Sequence, residues 1–562
     1  MQTSANGPER QTDWHSVDWR KANRLVRNLR QRIFRASQAG DLKKAHALQK
    51  LMLRSYSNTL LGVRRVTQVN KGKNTAGVDK LVIKTPEARG RLVDHLMTFQ
   101  PWTAKPARRV YIPKANNKLR PLSIPSVVDR CLQARVKQAL EPFWEARFER
   151  SSYGFRPGRS CHDAIARVFS HARPDGRKKW VVDADIMGAF DNIAQTPLLD
   201  AIGSFPARAL IRQWLKAGYV DKSVFHETDT GTGQGSVVSP LLANIALHGM
   251  EDALGISYDR HGHLRGPRAL IRYADDWVVF CESKDDAEEV IAIMAEWLAQ
   301  RGLTLSAEKT RIVHLREGFD FLGYNVRHYP APQTSRSGYK LLIRPNKDAV
   351  QQVRQKLRAI WGRARHVPLP LALRDLNAVI RGWANYHRIV VARDTFRALD
   401  QWLAHRAYRY TKRHHPHKSW RWRRDRYWGR LNAKRDDRWV FGDKQTGSHL
   451  LKFRWFPIER HVLIRGAASP DDPTLRDYWR HRRQAHARNL SVSKRKLATA
   501  QHGLCPVCGD SLFNDEELQT HHITPRAQGG KDVYTNLTLV HLYCHHQIHG
   551  DPTRTIREQQ AG

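Results

Sequence analysis

The sequence predicts an α+β protein of several domains, and three observations carry that expectation. The chain has 562 residues, more than one hydrophobic core organises, so it divides. Between about 81 and 330, short β-rich runs ("RRVYIP", "KWVVDADI", "WVVFCES", "TRIVHL") alternate with helical stretches, the pattern of mixed α and β layers. Near the C-terminus three of the six cysteines, Cys505, Cys508 and Cys544, gather among histidines. That is a metal pattern rather than a disulfide framework. A hydrophobic fraction of 41% suits a folded chain.

Residues 1–80 read as a basic helical N-terminal extension. Leu25, Leu29 and Ile33 recur at helical spacing, and so do Leu48, Leu51 and Met52. A glycine-containing basic loop, "KGKNTAGVDK", closes this part. The mixed α+β part runs over about 81–330. From about 345 to 430 the chain is helical again, with Leu376, Val379, Ile380, Trp383 and Val390 on one apolar stripe. A polar, aromatic-rich stretch, 431–495, leads to a small module at 496–562. The N-terminus lacks the apolar core of a signal peptide, and no apolar run is long enough for a membrane. A cytoplasmic protein with no membrane partner is expected.

There are 96 Lys+Arg against 53 Asp+Glu, a net charge of +43. So one-sided a balance points to a polyanion, because each neutralised phosphate releases condensed counterions. Residues 401–430 concentrate the signal, with ten Lys/Arg, seven Trp/Tyr and one acidic residue, Asp425. Basic residues interleaved with aromatics suit phosphate contact plus stacking on unpaired bases.

Two segments carry carboxylates. In "WVVDADIMGAFDNI" (180–193) an apolar strand delivers Asp183 and Asp185 before the chain turns. In "IRYADDWVVF" (271–280) apolar residues flank Tyr273-Ala274-Asp275-Asp276, which reads as a β-hairpin with two adjacent carboxylates at its tip. Like charges side by side call for a shared cation. Transfer of a nucleotidyl group uses two Mg²⁺ ions about 3.5–4 Å apart, and hard oxygen ligands suit them. Alone, an Asp-Asp turn reads as a solvated hairpin tip. Neighbouring segments change that reading. "KANNKLRPLSIP" (114–125) offers Lys114 and Arg120 to triphosphate oxygens. "GTGQGSVVSPLLANIAL" (231–247) is a glycine-rich turn feeding a helix, where Gly233 and Gly235 permit close approach to a base or ribose.

In order, "KLRPLSIP", "SSYGFRPGRSCHDAI", "DADIMGAFDNI", "GQGSVVSPLLANI", "YADD", "LSAEKT" and "FLGY" resemble the motifs of reverse transcriptases, especially those of group II intron-encoded proteins. The resemblance implies a right-hand polymerase with fingers and palm at 81–335 and a thumb or maturase X domain at 336–430, where "VIRGWANYHR" matches. It implies Asp185 and Asp275 as principal metal ligands, completed by Asp276. It further implies Lys114 and Arg120 on the triphosphate, Gln234 shaping the nucleotide pocket, and Phe190 as the ring that excludes a ribose 2′-OH. Phe190 reads equally as ordinary core, and Asp191 receives no metal role.

At the C-terminus "CPVC" (505–508) is a CxxC knuckle. Structural Zn²⁺ takes four soft or borderline ligands. Cys505, Cys508 and Cys544 supply three, and His541 is the choice for the fourth. The remaining residues, "HHITPRAQGG" (521–530), Asn536 and "HLYCHHQIH" (541–549), resemble an HNH endonuclease, a small ββα-metal module. By that resemblance His522 is the general base, His521, His545 and His549 hold a catalytic divalent metal, and Asn536 fixes the loop. His545 and His549 are open to exchanging roles. A DNA-binding zinc ribbon with spare histidines is the plainer alternative.

The combined resemblance implies an RNA-directed DNA polymerase, a maturase that assists splicing of its intron RNA, and an endonuclease that nicks target DNA to prime reverse transcription, with 431–495 as a DNA-binding linker. Its partners would be group II intron RNA, target DNA and dNTPs. Its cofactors would be two Mg²⁺ ions, an HNH divalent metal and structural Zn²⁺, and its setting bacterial and nucleoid-associated during action on DNA. The rivals are a non-enzymatic splicing maturase and a reverse transcriptase recruited to a host or defence function.

Overall fold

A computed structural model describes residues 12–113, 119–332, 337–487, 490–514 and 516–550. The N-terminal region is built of helices Trp19–Gln38, Leu42–Arg54, Tyr56–Arg64 and Pro86–Met97. Each begins on a side-chain cap: Asp18, Asp41, Ser55 and Thr85 accept the backbone N–H of Lys21, Lys44, Asn58 and Ala88. The apolar stripe is rotated from the expected one. Trp19, Ala22, Val26 and Ile33 form the buried face of the first helix, whereas Leu25 and Leu51 are 43% and 50% exposed. Val26 and Ile33 are two turns apart on one face, and Leu25 lies about 100° around the helix from Val26.

The middle of the chain forms two four-stranded sheets. The smaller orders strands Leu119–Ile124, Ala107–Pro113, Tyr219–Asp221 and Val224–His226. The central sheet orders Arg311–His314, Trp180–Asp185, Asp276–Cys281 and Ala269–Tyr273, all antiparallel. Its strands are buried on both faces, which is why they read as unbroken apolar runs. Val182, Ala184, Leu270, Trp277 and Val279 join a core with helices Val127–Glu145, Ser239–Ala246 and Lys284–Ala299. Val181, Ile271, Val278 and Phe280 face a second core under helix Cys161–His171. Side chains alternate along a strand, so Asp183 and Asp185 continue the Val181 face, and Asp276 continues that of Val278.

Residues 347–427 form four helices, Lys347–Arg363, Leu369–His387, Arg393–His414 and Trp420–Tyr427. Leu376, Ile380, Leu399 and Leu403 make their core, which Phe441 and Phe453 from the following stretch complete. That stretch is anchored along its length. Asp400 accepts the N–H groups of Phe453 and Arg454 at 2.6 and 3.1 Å. Buried Asp163 accepts from Arg482 and from the Ile464 N–H at 2.6 and 2.9 Å. The C-terminal module pairs strand Leu518–His522 antiparallel with Leu537–His541, followed by helix Leu542–Gly550. Among the described residues, no helix is long and apolar enough to cross a membrane.

Candidate functional site

The strand register assembles the first site. Asp185 is the direct partner of Asp276 across adjacent strands, and Asp275 occupies the two-residue turn with Ala274. Asp183, two residues before Asp185, is turned to the sheet edge, where Arg311 Nη2 lies 2.8 Å from its carboxylate. Burial raises the pKa of Asp275, and the charge of Asp185 adds to the shift. Burial and the charges of Asp275 and Asp185 push Asp276 up to about 7, although its carboxylate still reaches solvent. The Lys309 ammonium lies against Asp185 Oδ2. Three crowded carboxylates that draw in a lysine are a fitting donor set for hard divalent cations.

The turn is held in a strained shape. Ala274 has φ +61°, as primed hairpin turns demand of their first position. Its carbonyl accepts from Arg272 Nη1 at 3.3 Å, and the same nitrogen donates to Asn244 Oδ1 at 3.1 Å. Asn244 Nδ2 donates to the Gly154 carbonyl at 2.8 Å. Gly154 rests directly on the turn, since a Cβ there would fall 2.3 Å from the Ala274 nitrogen. Sequence reasoning missed Arg272, Asn244, Gly154 and Lys309 as parts of the site. All four nevertheless stand inside segments already singled out, "IRYADDWVVF", "GQGSVVSPLLANI", "SSYGFRPGRS" and "LSAEKT".

Phe190 is half-buried and meets Phe155 edge-on, with centroids 6.1 Å apart. Gly231 lies on the backbone beside it: a Cβ would stand 2.6 Å from the Asp191 carbonyl oxygen. Gln234 Nε2 is 3.4 Å from Asp191 Oδ2, and the Gln234 carbonyl accepts the Ser123 N–H at 2.6 Å. Gly233 and Gly235 have φ +65° and +103°. The close approach that Gly235 permits is to Ser123, whose carbonyl oxygen would stand 3.0 Å from an added Cβ. Arg120 is exposed on its strand and near enough to Asp275 to oppose the rise of its pKa. Lys114 lies outside the described residues.

The basic-aromatic stretch splits by face. Tyr410, Tyr427 and Trp428 turn inward around Phe441. Trp420, Trp422 and Tyr408 stay exposed, and the Arg423 guanidinium stands 5.1 and 5.8 Å from the rings of Tyr408 and Trp420.

The C-terminal module holds two clusters. Cys505, Cys508, His541 and Cys544 are all buried, with their donor atoms within 4.8 Å of one another. His541 Nε2 donates to the Ser511 carbonyl at 3.0 Å, which leaves Nδ1 facing the sulfurs of Cys508 and Cys544 at 3.4 and 3.9 Å. Burial alone would lower the His541 pKa, but hydrogen bonding of its ring to the three cysteine sulfurs raises it. The cluster therefore attracts positive charge, as a zinc site does.

The second cluster is His521, His545 and His549, also within 4.8 Å. Burial, then the charges of His545 and His549, push His521 down to about 4. Neutral imidazoles are what a metal takes. His522, next along the strand, points to the other side, where Nε2 meets Asp532 Oδ1 at 2.5 Å. Asn536 clamps the intervening loop, accepting the Thr524 N–H at 2.7 Å and donating to the carbonyls of Thr524 and Lys531 at 3.1 and 3.0 Å.

Family comparisons match this layout. Family models match as the N-terminal domain of reverse transcriptase over residues 14–96, as reverse transcriptase (RNA-dependent DNA polymerase) over 112–326, as the group II intron maturase-specific domain over 350–428 and as HNH endonuclease over 505–551. The chain is 36% identical to Protein YkfC of Escherichia coli over 47% of its own length and 78% of that protein. The chain belongs to the group II intron-encoded proteins. It is a reverse transcriptase and maturase with a C-terminal HNH endonuclease domain. This intron-encoded protein is also similar to the group II intron-encoded protein LtrA of Lactococcus lactis, at 30% identity over 48% of this chain and 55% of LtrA. An uncharacterized 91 kDa protein in the cob intron of Schizosaccharomyces pombe is 29% identical over 58% of this chain and 49% of that protein. The chain thus spans about half the length of these last two relatives.

Proposed function

We propose that this protein copies its own intron RNA into DNA at a nick that it makes itself. The carrying observation is the pair of separate sites in one chain: Asp185 paired across the strands with Asp276 and Asp275 in the adjoining turn, and His521, His545 and His549 gathered beside His522. The central sheet serves as palm, the smaller sheet as fingers and the 347–427 helices as thumb. Asp185, Asp275 and Asp276 hold two Mg²⁺ ions, which supply a clamp for the attacking and leaving oxygens. Arg120 and Lys114 meet the triphosphate, Gln234 holds the shape of the pocket floor through Ser123 and Asp191, and Phe190 lies against the sugar. The ββα module uses His521, His545 and His549 for one divalent metal, with His522 as the base that takes a proton from water and Asp532 orienting its ring. Asn536 keeps the loop between them in place. Cys505, Cys508, His541 and Cys544 hold structural zinc.

The exposed Trp420, Trp422 and Tyr408, set among arginines, grip unpaired intron RNA, the maturase role. The 431–495 stretch lies against target DNA, and the protein works beside the nucleoid. The test uses the protein loaded with intron RNA, a duplex DNA target and dNTPs. The native chain nicks one strand and joins cDNA to the new 3′ end. Asp275→Ala nicks without cDNA. His522→Ala makes neither on intact duplex, yet extends a supplied primer. Target-joined cDNA from the His522 variant on intact duplex would overturn this reading.

A further inference from the structure

The C-terminal module is fastened to the far end of the chain through its metal cluster. Arg64 closes the Tyr56–Arg64 helix of the N-terminal region, 480 positions before Cys544. Its side chain is 6% exposed. Arg64 Nη2 donates to Cys544 Sγ at 3.3 Å and lies 3.6 Å from Glu516 Oε2, and its Cζ stands 4.7 Å over the Trp19 ring. Neighbours hold the knuckle by its backbone: Asn23 Nδ2 donates to the Cys508 carbonyl and Arg27 Nη2 to the Gly509 carbonyl, both at 3.0 Å. Around these contacts Trp19, Val63 and Val66 share one apolar core with Val507, Leu539 and Val540.

Charge explains why an arginine stands there. Three thiolates and a neutral imidazole around a divalent cation carry a net charge of about −1, and all four donors are buried. A buried charge without a partner is costly, and a second partner that donates to a ligand atom both offsets the charge and fixes the ligand. Arg64 meets both needs from another domain.

We propose that Arg64 is the charge-compensating and positioning residue of the Cys505–Cys508–His541–Cys544 metal site, so that bound metal locks the C-terminal module onto the N-terminal helices. The inference rests on reading those four residues as a zinc site. Arg64 does not ligate; it donates to a ligand. Loss of the metal would then loosen residues 19–64 as well as the module, because the guanidinium would lose its hold on the metal site and keep only Glu516 and the Trp19 ring.

The test is zinc release from the full-length, zinc-loaded chain to a colorimetric chelator. Arg64→Met should release zinc at least about tenfold faster than the native chain. Arg64→Lys, which keeps the charge but not the planar fork, should fall between. Glu516→Gln leaves Arg64 on the thiolate and the Trp19 ring and should release no faster than native. In parallel, stripping zinc from the native chain should lower hydrogen-exchange protection of the Trp19–Gln38 and Tyr56–Arg64 helices. Equal release from native and Arg64→Met proteins would sink the Arg64 inference while leaving the zinc reading intact, as would equal acceleration by Glu516→Gln. Unchanged protection on stripping would remove the lock. A native chain whose zinc content Cys505→Ser does not alter would instead overturn the zinc reading and, with it, this one.

Discussion

Asp185 lies directly opposite Asp276 across two adjacent strands of the central sheet, on the face that carries Val181 and Val278. Their pairing sets carboxylates from segments about ninety residues apart at one spot, with Asp275 added by the turn. Asp275→Ala should cut primer extension on an RNA template by on the order of 10³-fold while intron RNA binding stays within about twofold. A primer-extension assay beside a filter-binding assay decides it, and surviving cDNA synthesis would remove the metal assignment.

Gly154→Ala tests the brace under that turn. An added Cβ would stand 2.3 Å from the Ala274 nitrogen and 2.9 Å from the Tyr273 carbonyl carbon, so the turn must shift. A displacement of about 1 Å at reacting groups costs roughly 10²-fold in rate. The expected result is a kcat for primer extension lowered by about that factor, with a cooperative thermal transition retained. An unchanged kcat would show that the turn does not depend on Gly154.

These two positions show what the sequence made legible. The apolar runs predicted the strands, because run length and turn chemistry are local signals; the aspartate pair alone read as a solvated turn, and it was the resemblance of the ordered motifs that implied the polymerase site. The brace was not legible. Arg272, Asn244 and Gly154 meet through contacts as far as 90 residues apart, and nothing in the local pattern marks an arginine as wholly buried. The rotated stripe of the first helix has the same origin: Leu25 and Val26 are equally apolar, and only the neighbouring helices decide which is covered. The docking of the C-terminal module, from residue 64 to residue 544, lies beyond any reading of spacing.

Trp420→Ala and Trp422→Ala remove exposed rings from the basic face of the helical bundle. Each should weaken intron RNA binding by about 1–3 kcal/mol, the worth of one stacked base, with little effect on the slope of affinity against salt, which counts phosphate contacts. Binding titrations at several salt concentrations separate the two. Undiminished affinity in both variants would place the RNA elsewhere.

His545→Ala separates the two metal clusters. It should abolish DNA nicking yet leave the zinc held by Cys505, Cys508, His541 and Cys544 in place, so the metal content of the zinc-loaded protein should not fall below one zinc per chain. Loss of that zinc in the variant would mean the seven residues form a single site.

Acid should weaken the helical bundle through His387. This ring is 2% exposed and packs on Tyr324, Trp383 and Tyr386. Burial, together with the charge of His162, pushes it down to about 3 from an ordinary 6.5. Because the folded value lies below the unfolded one, the stabilisation is complete above about pH 6.5 and is lost progressively as the pH falls toward 3. The expected thermal midpoint declines between pH 6.5 and 4, and His387→Leu should flatten that slope. An equal slope in the variant would assign the acid sensitivity to other groups.

The core shared by Trp19, Val63, Leu539 and Val540 also bears on how the protein is made. A ribosome adding ~5–20 residues per second needs tens of seconds to pass from Arg64 to Cys544, 480 positions on. For that interval the emerged N-terminal helices have an uncovered apolar face. Docking of the C-terminal module onto these helices is therefore a late event in synthesis, and a translation product stopped short of residue 505 leaves that part of their apolar face open to chaperones and proteases.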